Sequence, residues 1–379
     1  MQKGLITLMN ERNLLLGPIY AATGRATTPL STSQKDAWEC YFKACESGIL
    51  TRMLVEQCPQ CRTSERTLVA QTDRYGDRFD TVLCDGCGLI YTANPFDVES
   101  TGRFYRDYYR SLYSKEGSRL QAVERMFAVN REKAAASLRM LTYLGLRKGE
   151  DLILDIGGGA GWFLHPLMEQ GYAVHGADYD AELIEIARSY GIAFTDIGDV
   201  GFAGLKDLKP KLIVLREVLE HTLDPFQQLA DVNALLPMGG YLYLTVPPLD
   251  ELPYGYGDGR LIGLLQNAHN FLFDTKVLQS YLHQAGFSII ACRRNLRILV
   301  QKTAVPRRSP CLIPGNAARN LALLKRCETR TQYIWRGLSK FMRVLKIPKQ
   351  DQYYIKALLL RIVSSTARRE HKLFLETGV

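Results

Sequence analysis

Two close pairs of cysteines are the first residues whose type and spacing could do chemistry. Cys58 and Cys61 flank two residues, Cys84 and Cys87 do the same, and 22 residues separate the pairs. Each pair can form a tight turn, and four thiolates complete a tetrahedron around Zn²⁺ with no open position. We therefore predict a structural zinc site that performs no chemistry itself. The alternative is four unrelated buried thiols.

A glycine-rich turn follows an apolar strand and opens a helical segment. Its glycines recur at every second position, at Gly157, Gly159 and Gly161. Glycines at such a turn let the backbone approach a ligand without interference from a Cβ atom. Dinucleotide spacing would place a glycine where Trp162 stands, and an indole there would crowd a pyrophosphate. The spacing therefore argues against nicotinamide and flavin dinucleotides.

Two aspartates flank this turn in a way that suits a cationic nucleotide. Asp155 lies two residues before the first of the spaced glycines, and Asp178 ends the next predicted strand, 23 residues after Asp155. An acid at that distance typically accepts hydrogen bonds from ribose hydroxyls. The alternative is that Asp178 caps the following helix, but Asp180 is the better-placed cap. We therefore predict that Asp155 and Asp178 contact a ligand.

The elements that would position these residues alternate between strand and helix from Asp151 onward, which is typical of a parallel doubly wound sheet. The predicted strands are Leu152–Ile156, Ala173–Ala177, Ile192–Thr195, Leu212–Leu215, Tyr241–Val246, Phe287–Cys292 and Leu296–Gln301. The predicted helices between them are Trp162–Gln170, Ala181–Tyr190, Pro225–Leu236 and Thr275–Ala285.

A chain of 379 residues exceeds what one hydrophobic core usually supports, so we expect more than one folded unit. The predicted organisation is a loosely ordered extension over 1–52, a zinc ribbon over 53–95, connecting helices over 96–145, a nucleotide-binding domain over 146–302 and a basic helical tail over 303–379.

Four motifs together resemble the class I S-adenosylmethionine-dependent methyltransferases. They are Leu154–Gly161, Gly176–Asp178, Glu217–His221 and Leu236–Gly240, and the resemblance covers residues 120–302. It implies an α/β fold with a Rossmann-like seven-stranded sheet whose last strand is antiparallel. It also implies that S-adenosylmethionine is the cofactor.

The same resemblance assigns roles to individual residues. Asp155 and the glycine backbone would hold the methionine part, and Asp178 would bind the ribose. The adenine edge would lie near Asp196 or Asp199, a choice that the motif leaves open. Glu217, in the motif after strand four, is a further expected cofactor-binding residue.

Candidate catalytic residues follow strands four and five, where open α/β sheets bind ligands. His269 begins a pattern of histidine, three residues and phenylalanine that is common in small-molecule members of the family, so we place it first as a general base. Glu220 and His221 are the other candidates, although His221 could instead shape its loop, and an enzyme without a base is the alternative. Tyr105 and Tyr109, at helical spacing, either close the pocket or simply pack.

The cysteine segment resembles the zinc-ribbon head of one group of these methyltransferases. The matching residues run from Cys87 through Pro95 and then include Phe104, Tyr105 and Tyr109. Many members of that group act on sugars or other small acceptors, so we expect a small-molecule or glycan acceptor in polysaccharide or secondary-metabolite biosynthesis. The alternative is an RNA methyltransferase that binds nucleic acid through its ribbon and tail.

The charge is distributed unevenly. The chain has 48 basic and 39 acidic residues, but the part from Arg293 onward has 20 Lys and Arg against 4 Asp and Glu. Within it, Arg336–Lys349 mixes basic and apolar residues, which favours a packed basic helix or a lid, or else contact with an anionic membrane. Met1–Asn13 lacks the pattern of a secretory signal. We therefore expect a cytoplasmic protein, with a peripheral position at the inner face of the membrane as an option.

Overall fold

The computed structural model describes residues 11–13, 15–113, 119–293 and 296–344. Its helices are α1 (Thr32–Glu46), α2 (Val98–Asp107), α3 (Tyr109–Tyr113), α4 (Arg119–Tyr143), α5 (His165–Met168), α6 (Ala181–Ser189), α7 (Ile197–Val200), α8 (Pro225–Leu235), α9 (Thr275–Gln284) and α10 (Asn316–Val344). Its strands are β1 (Glu11–Asn13), β2 (Arg66–Thr72), β3 (Arg78–Cys84), β4 (Ile90–Thr92), β5 (Leu152–Ile156), β6 (Ala173–Asp178), β7 (Ala193–Asp196), β8 (Leu212–Arg216), β9 (Tyr241–Thr245), β10 (Phe271–Leu272), β11 (Phe287–Cys292) and β12 (Arg297–Lys302).

A seven-stranded sheet forms the centre of the larger half of the molecule. Its strand order is β11-β12-β9-β8-β5-β6-β7. The pairs β9/β8, β8/β5, β5/β6 and β6/β7 are parallel, whereas β12 runs antiparallel to both of its neighbours. This arrangement confirms the predicted fold class, a Rossmann-like α/β sheet with an antiparallel last strand.

The predicted strands and most predicted helices lie within one or two residues of the observed ones, but the first helix of the sheet is shorter. The sequence predicted a helix over Trp162–Gln170, whereas α5 covers only His165–Met168. Gly161 adopts a left-handed backbone with φ 76°, and a turn follows it before the helix begins. The long glycine turn therefore occupies residues that periodicity alone assigned to the helix.

A second sheet joins the cysteine segment to the larger half. Its order is β1-β2-β3-β4-β10, and β10 comes from the loop that follows β9. Phe271 pairs with Tyr91 and Leu272 pairs with Ile90. One hydrophobic cluster contains the four buried cysteines together with Phe273 and Tyr281 of the larger half. The cysteine segment thus shares a core with the sheet domain and packs directly on it.

The structure differs from the prediction of a loosely ordered extension over 1–52. Helix α1 begins with a capping box in which Ser31 and Gln34 exchange hydrogen bonds. It buries Trp38 and Tyr41, and the Tyr41 hydroxyl donates to Asp77 at 2.6 Å. Fully burying one large side chain stabilises a fold by roughly 1.5–3 kcal/mol. Gln34, Trp38, Tyr41 and Ala44 lie three or four residues apart, so the sequence carried a helical signal that the prediction missed.

Helices α2, α3 and α4 lie within residues 96–145, which the sequence assigned to connecting helices. Tyr105, Tyr109 and Tyr113 follow one another along α2 and α3, with ring centroids 5.0 Å and 4.9 Å apart. Tyr105 also approaches the ring of His221 at 6.0 Å. This row of tyrosines therefore faces the loop that follows β8.

The described part of the tail packs on the rest of the molecule. Leu323, Leu324 and Cys327 of α10 are buried, and Glu328 accepts a hydrogen bond from Arg260 at 3.0 Å. The side chains of the predicted amphipathic stretch Arg336–Lys349 lie outside the described residues. Within the ranges that the structure describes, no helix has the length and apolarity needed to cross a membrane.

Candidate active site

The glycine turn lies at the carboxyl end of β5. Gly157, Gly159 and Gly161 all have left-handed backbone, with φ of 74°, 58° and 76°. A Cβ atom built on Gly159 would lie 2.4 Å from the indole of Trp162. A side chain at this position would thus clash as well as strain the backbone. The three glycines thus leave the turn without side chains, and the indole of Trp162 packs against Gly159.

Asp155 and Asp178 lie beside this turn. Asp155 is only 3% exposed, and burial raises its pKa to about 7. Asp178 accepts hydrogen bonds from the backbone N–H groups of Gly159 at 2.7 Å, Tyr179 at 2.8 Å and Asp180 at 3.0 Å. Burial is also the main cause of the raised pKa of Asp178. A buried carboxyl beside a turn of glycine backbone suits a ligand that carries positive charge.

The helix after β6 is capped by another residue. Asp180 accepts a hydrogen bond from the backbone N–H of Leu183 at 3.0 Å and is the N-cap of α6. Asp178 instead ties the tip of β6 to the glycine turn. The structure thus assigns the capping role to Asp180, as the sequence argued, and places Asp178 at the carboxyl end of β6.

Asp196 and Glu217 occupy the ends of two further strands. Asp196 pairs with Asp178 across β6 and β7, and its side chain accepts from the backbone N–H of Gly198 at 2.8 Å. Glu217 has a left-handed backbone with φ 53°, uncommon for a residue with a side chain, and accepts from the Thr245 hydroxyl at 2.9 Å. Both lie at the same edge of the sheet as the glycine turn.

The three predicted catalytic residues come together beside this edge. Ligand atoms of Glu220, His221 and His269 all lie within 4.8 Å of one another. The imidazole rings of His221 and His269 are 4.8 Å apart, and Nε2 of His221 is 3.8 Å from a carboxylate oxygen of Glu220. His221 and His269 are 48 positions apart in the sequence, and the fold brings them into contact.

Hydrogen bonds distinguish the two histidines. The Nδ1–H of His221 donates to the carbonyl of Ala268 at 2.8 Å, which leaves Nε2 with a free lone pair. The hydroxyl of Tyr105 lies 2.9 Å from the same Nδ1 atom. The Nε2 atom of His269 instead accepts a hydrogen bond from the side-chain amide of Gln266. Of the two imidazoles, His221 therefore has the lone pair that is available to a substrate.

Burial favours the uncharged form of each residue in this cluster. It lowers the pKa of His221 to about 4 and that of His269 well below its usual value. The pKa of Glu220 is raised well above its usual value, because the residue is fully buried and Glu217 repels its negative charge. Neither oxygen of Glu220 has a hydrogen-bond partner in another residue.

Sequence reasoning missed the contribution of the β2–β3 hairpin. Arg74, at its tip, donates to the carbonyl of Gly263 at 3.1 Å and to the side chain of Gln266. Asp73 accepts from the backbone N–H of Asn267 at 3.1 Å. No motif marks these residues, because their role depends on pairing between segments almost 200 positions apart.

The four cysteines of the predicted zinc site lie together. All are buried, and their sulfur atoms lie within 4.8 Å of one another. The Cys58 and Cys87 sulfurs are 3.6 Å apart, and those of Cys61 and Cys84 are 3.3 Å apart. A tetrahedral zinc with bonds near 2.3 Å would place its sulfur ligands about 3.8 Å apart. The chemistry and spacing of this cluster fit such an ion.

Hydrogen bonds from asparagine side chains connect the cysteine cluster to the loops that carry the two histidines. The second cysteine turn is held by Asn316, whose side chain donates to the Cys87 carbonyl at 2.9 Å and to Asp274 at 2.9 Å. Asp274 caps α9 directly after β10. Asn270, just before β10, donates to the backbone carbonyl of His221 at 3.1 Å. The cysteine segment and the histidine loops are thus linked through β10.

Residues 122–291, a little under half of the chain, match the model of a family described as a methyltransferase domain. The match agrees with the methyltransferase domain that the sequence motifs predicted, and the seven-stranded sheet is the predicted α/β fold. Residues 122–291 are therefore similar to a methyltransferase domain.

A curated relative is an uncharacterised 37.1 kDa protein in transposon TN4556 of Streptomyces fradiae, 32% identical over 126 residues. The match covers 31% of this chain and 36% of the relative, so the chain spans about a third of that protein's length.

Solved structures that resemble this chain include two methyltransferases. Magnesium protoporphyrin IX methyltransferase from Synechocystis PCC 6803, with bound S-adenosylmethionine, is 18% identical over 53% of this chain and 95% of its own, with a TM-score of 0.36. An S-adenosylmethionine-dependent methyltransferase from Archaeoglobus fulgidus is 22% identical over 55% of this chain and 94% of its own, with a TM-score of 0.35.

Proposed function

We propose that this protein transfers a methyl group from S-adenosylmethionine to a small-molecule or glycan-type acceptor in polysaccharide or secondary-metabolite biosynthesis. The observation that carries this proposal is the meeting of two sets of residues at one edge of the sheet. The glycine turn with Asp155 and Asp178 forms the first set, and Glu220 with the two histidines forms the second. The family match to residues 122–291 supports the same chemistry.

The first set would hold the cofactor. The bare backbone at Gly157, Gly159 and Gly161 and the carboxyl of Asp155 suit the methionine part, while Asp178 would bind the ribose. Asp196 and Glu217, at the ends of neighbouring strands, would complete the cofactor side. When bound, S-adenosylmethionine supplies the methyl group from its sulfonium, and the rest of the cofactor is an excellent leaving group. The protein therefore need only align the acceptor and help remove its proton.

We place the general base at His221 rather than at His269, which the sequence pattern put first. The Gln266 amide occupies the accepting nitrogen of His269, whereas the Ala268 carbonyl fixes His221 with its Nε2 lone pair free. Burial leaves His221 neutral at physiological pH, as a base must be. His269 and Tyr105 would then orient His221 and line the acceptor pocket.

We further propose that the four buried cysteines hold a structural zinc ion. Four thiolates close the coordination sphere, so the ion would stabilise the hairpin β2–β3 and take no part in methyl transfer. Because β4 pairs with β10, the ion would also support the loop that carries His269. The basic tail remains a candidate for peripheral membrane contact and the cytoplasm the proposed location.

Incubation of the full chain with methyl-labelled S-adenosylmethionine and a mixed acceptor panel, followed by mass spectrometry, tests this function. The panel should contain sugars, other hydroxylated small molecules and RNA. The proposal predicts label on a small-molecule or glycan acceptor. Label on RNA alone would replace that acceptor class by nucleic acid, and loss of labelling in His221→Asn but not in His283→Asn would support the assigned base.

A further inference from the structure

Several buried polar atoms in Glu220 and in the segments around the two histidines have no hydrogen-bond partner. They include both carboxyl oxygens of Glu220, the Nδ1 atom of His269, the side-chain nitrogen of Asn267 and the Nε atom of Arg74. Buried polar groups are nearly always paired, because an unpaired one costs about 1–3 kcal/mol. A group of unpaired atoms around one pocket is therefore expected to be paired by the ligand that binds there.

The unpaired atoms form two groups that differ in whether they can accept a hydrogen bond. At one side lie the carboxyl of Glu220 and, 3.8 Å from it, the free Nε2 of His221. A hydroxyl group can donate and accept, so it would satisfy this side whichever form the carboxyl takes. The other unpaired atoms are donors alone: the guanidinium Nε–H of Arg74, the amide of Asn267 and the Nδ1–H of His269.

Arg74 is a cation without a carboxylate partner among the described residues. Its guanidinium donates to the uncharged Gly263 carbonyl and to the Gln266 side chain, and its Nε–H is buried and unpaired. The ring of Tyr75 lies 4.9 Å from the guanidinium carbon, and the neighbouring Asp73 accepts its hydrogen bonds from backbone N–H groups. Arginine binds carboxylates and phosphates in preference to neutral groups.

Short contacts place this cation beside the reacting group. Gln266 bridges Arg74 to His269, and the His269 ring lies 4.8 Å from the ring of His221. Tyr113, which donates to Asn267, belongs to the same row of tyrosines as Tyr105. The donors and the candidate base therefore belong to one continuous network.

We propose that the acceptor is an acidic hydroxylated molecule, whose hydroxyl group meets Glu220 and His221 while its carboxylate or phosphate is bound by Arg74 and Asn267. This proposal rests on the proposed methyl transfer and specifies the acceptor. It also gives the β2–β3 hairpin a part in substrate recognition, because Arg74 lies at the hairpin tip between its two strands.

The test uses the full chain saturated with S-adenosylhomocysteine and three matched probes: glucose, glucuronate and glucose 6-phosphate. Their hydroxyl groups are similar, and only the last two carry an anion. Calorimetric titration should give at least tenfold tighter binding of glucuronate or glucose 6-phosphate than of glucose, and the two acids separately report on carboxylate and phosphate. Equal binding of all three, or no binding of either acid, would overturn the proposal.

Variants locate the anion site. Arg74→Gln should abolish the tenfold preference, whereas Arg78→Gln, a change in the same hairpin at a residue paired with Asp80, should retain it. Retention of the preference in Arg74→Gln would contradict the assignment even if the wild-type protein favours acids. Cofactor binding is measured separately in each variant. An intact cofactor site without acid preference rejects this inference alone, whereas a wild-type protein that binds no cofactor rejects the proposed function.

Discussion

The cofactor side and the acceptor side of this site are built in different ways. Most of the proposed cofactor side comes from one short stretch of chain, in which the glycine turn and Asp178 follow two adjacent parallel strands, and Asp196 and Glu217 join it from the next strands of the same sheet. The acceptor side collects Arg74, Tyr105, His221 and His269 from four segments, and the cysteine-bearing sheet brings them together. The proposed cofactor site is therefore built mainly by residues that are close in the sequence. The proposed acceptor site is built by residues that are far apart in the sequence and that the contact between the two sheets brings together.

The largest effect should come from the cysteines, because they stabilise the sheet that assembles the acceptor side. Cys58→Ser should release the proposed zinc ion and lower the free energy of unfolding by about 3 kcal/mol or more. Metal analysis and denaturant unfolding measure both quantities. Cys40→Ser, at an exposed position, is the control and should change neither. Unchanged metal content and stability in Cys58→Ser would mean that this cysteine holds no metal and is not needed to assemble the site.

The cofactor side should respond strongly to Asp178→Ala. The change removes the acceptor of three backbone hydrogen bonds and the proposed partner of the ribose. We expect S-adenosylmethionine to bind about 10- to 100-fold more weakly, as for loss of a hydrogen bond to a charged group. Calorimetry measures this, with Asp207→Ala on the surface as the control. Normal binding in Asp178→Ala would mean that the ribose lies elsewhere.

The buried Asp155 makes cofactor binding depend on pH. Burial raises its pKa to about 7 in the free protein, and a cationic ligand favours the ionised form. Binding should therefore weaken as the pH falls below 7, by at most about tenfold per unit, until the lower pKa of the complex is reached. Affinities measured from pH 5 to about pH 8 would reveal the slope. Asp155→Asn should bind weakly and with a flat profile; an equal slope in this variant would assign the proton to another group.

The smallest effect is expected at Tyr105. Its hydroxyl lies 2.9 Å from Nδ1 of His221, so Tyr105→Phe should loosen the orientation of that ring. Loss of one such contact corresponds to about 1 kcal/mol, or up to about a tenfold slower transfer. Cofactor affinity should not change, and Tyr143→Phe, at an exposed helical position, should match the wild type. A loss of cofactor affinity in Tyr105→Phe would instead link the tyrosine to the cofactor side.

Features that depend on nearby residues could be predicted from the sequence, whereas contacts between distant segments could not. The parallel sheet, the glycine turn and the cysteine pairs were predicted because short-range spacing encodes them. The pairing of β4 with β10 and the hydrogen bond from Arg74 to the Gly263 carbonyl were not predicted, because no periodicity in these segments indicates a distant partner. His269 was predicted as the base from a pattern, and only the hydrogen bond from Gln266 distinguishes it from His221. Helix α1 was missed although its buried residues Trp38, Tyr41 and Ala44 follow helical spacing, because the Gly, Thr and Ser residues before it favoured an extended segment.

Calorimetric titration of the full chain with S-adenosylmethionine tests the central claim most directly, with a dinucleotide such as NAD as the comparison. The account predicts binding of one S-adenosylmethionine per chain and no binding of the dinucleotide, because the turn at Gly159 offers bare backbone beside buried acids and Trp162 crowds a pyrophosphate. No binding of S-adenosylmethionine at millimolar concentration, or binding of the dinucleotide in its place, would contradict it.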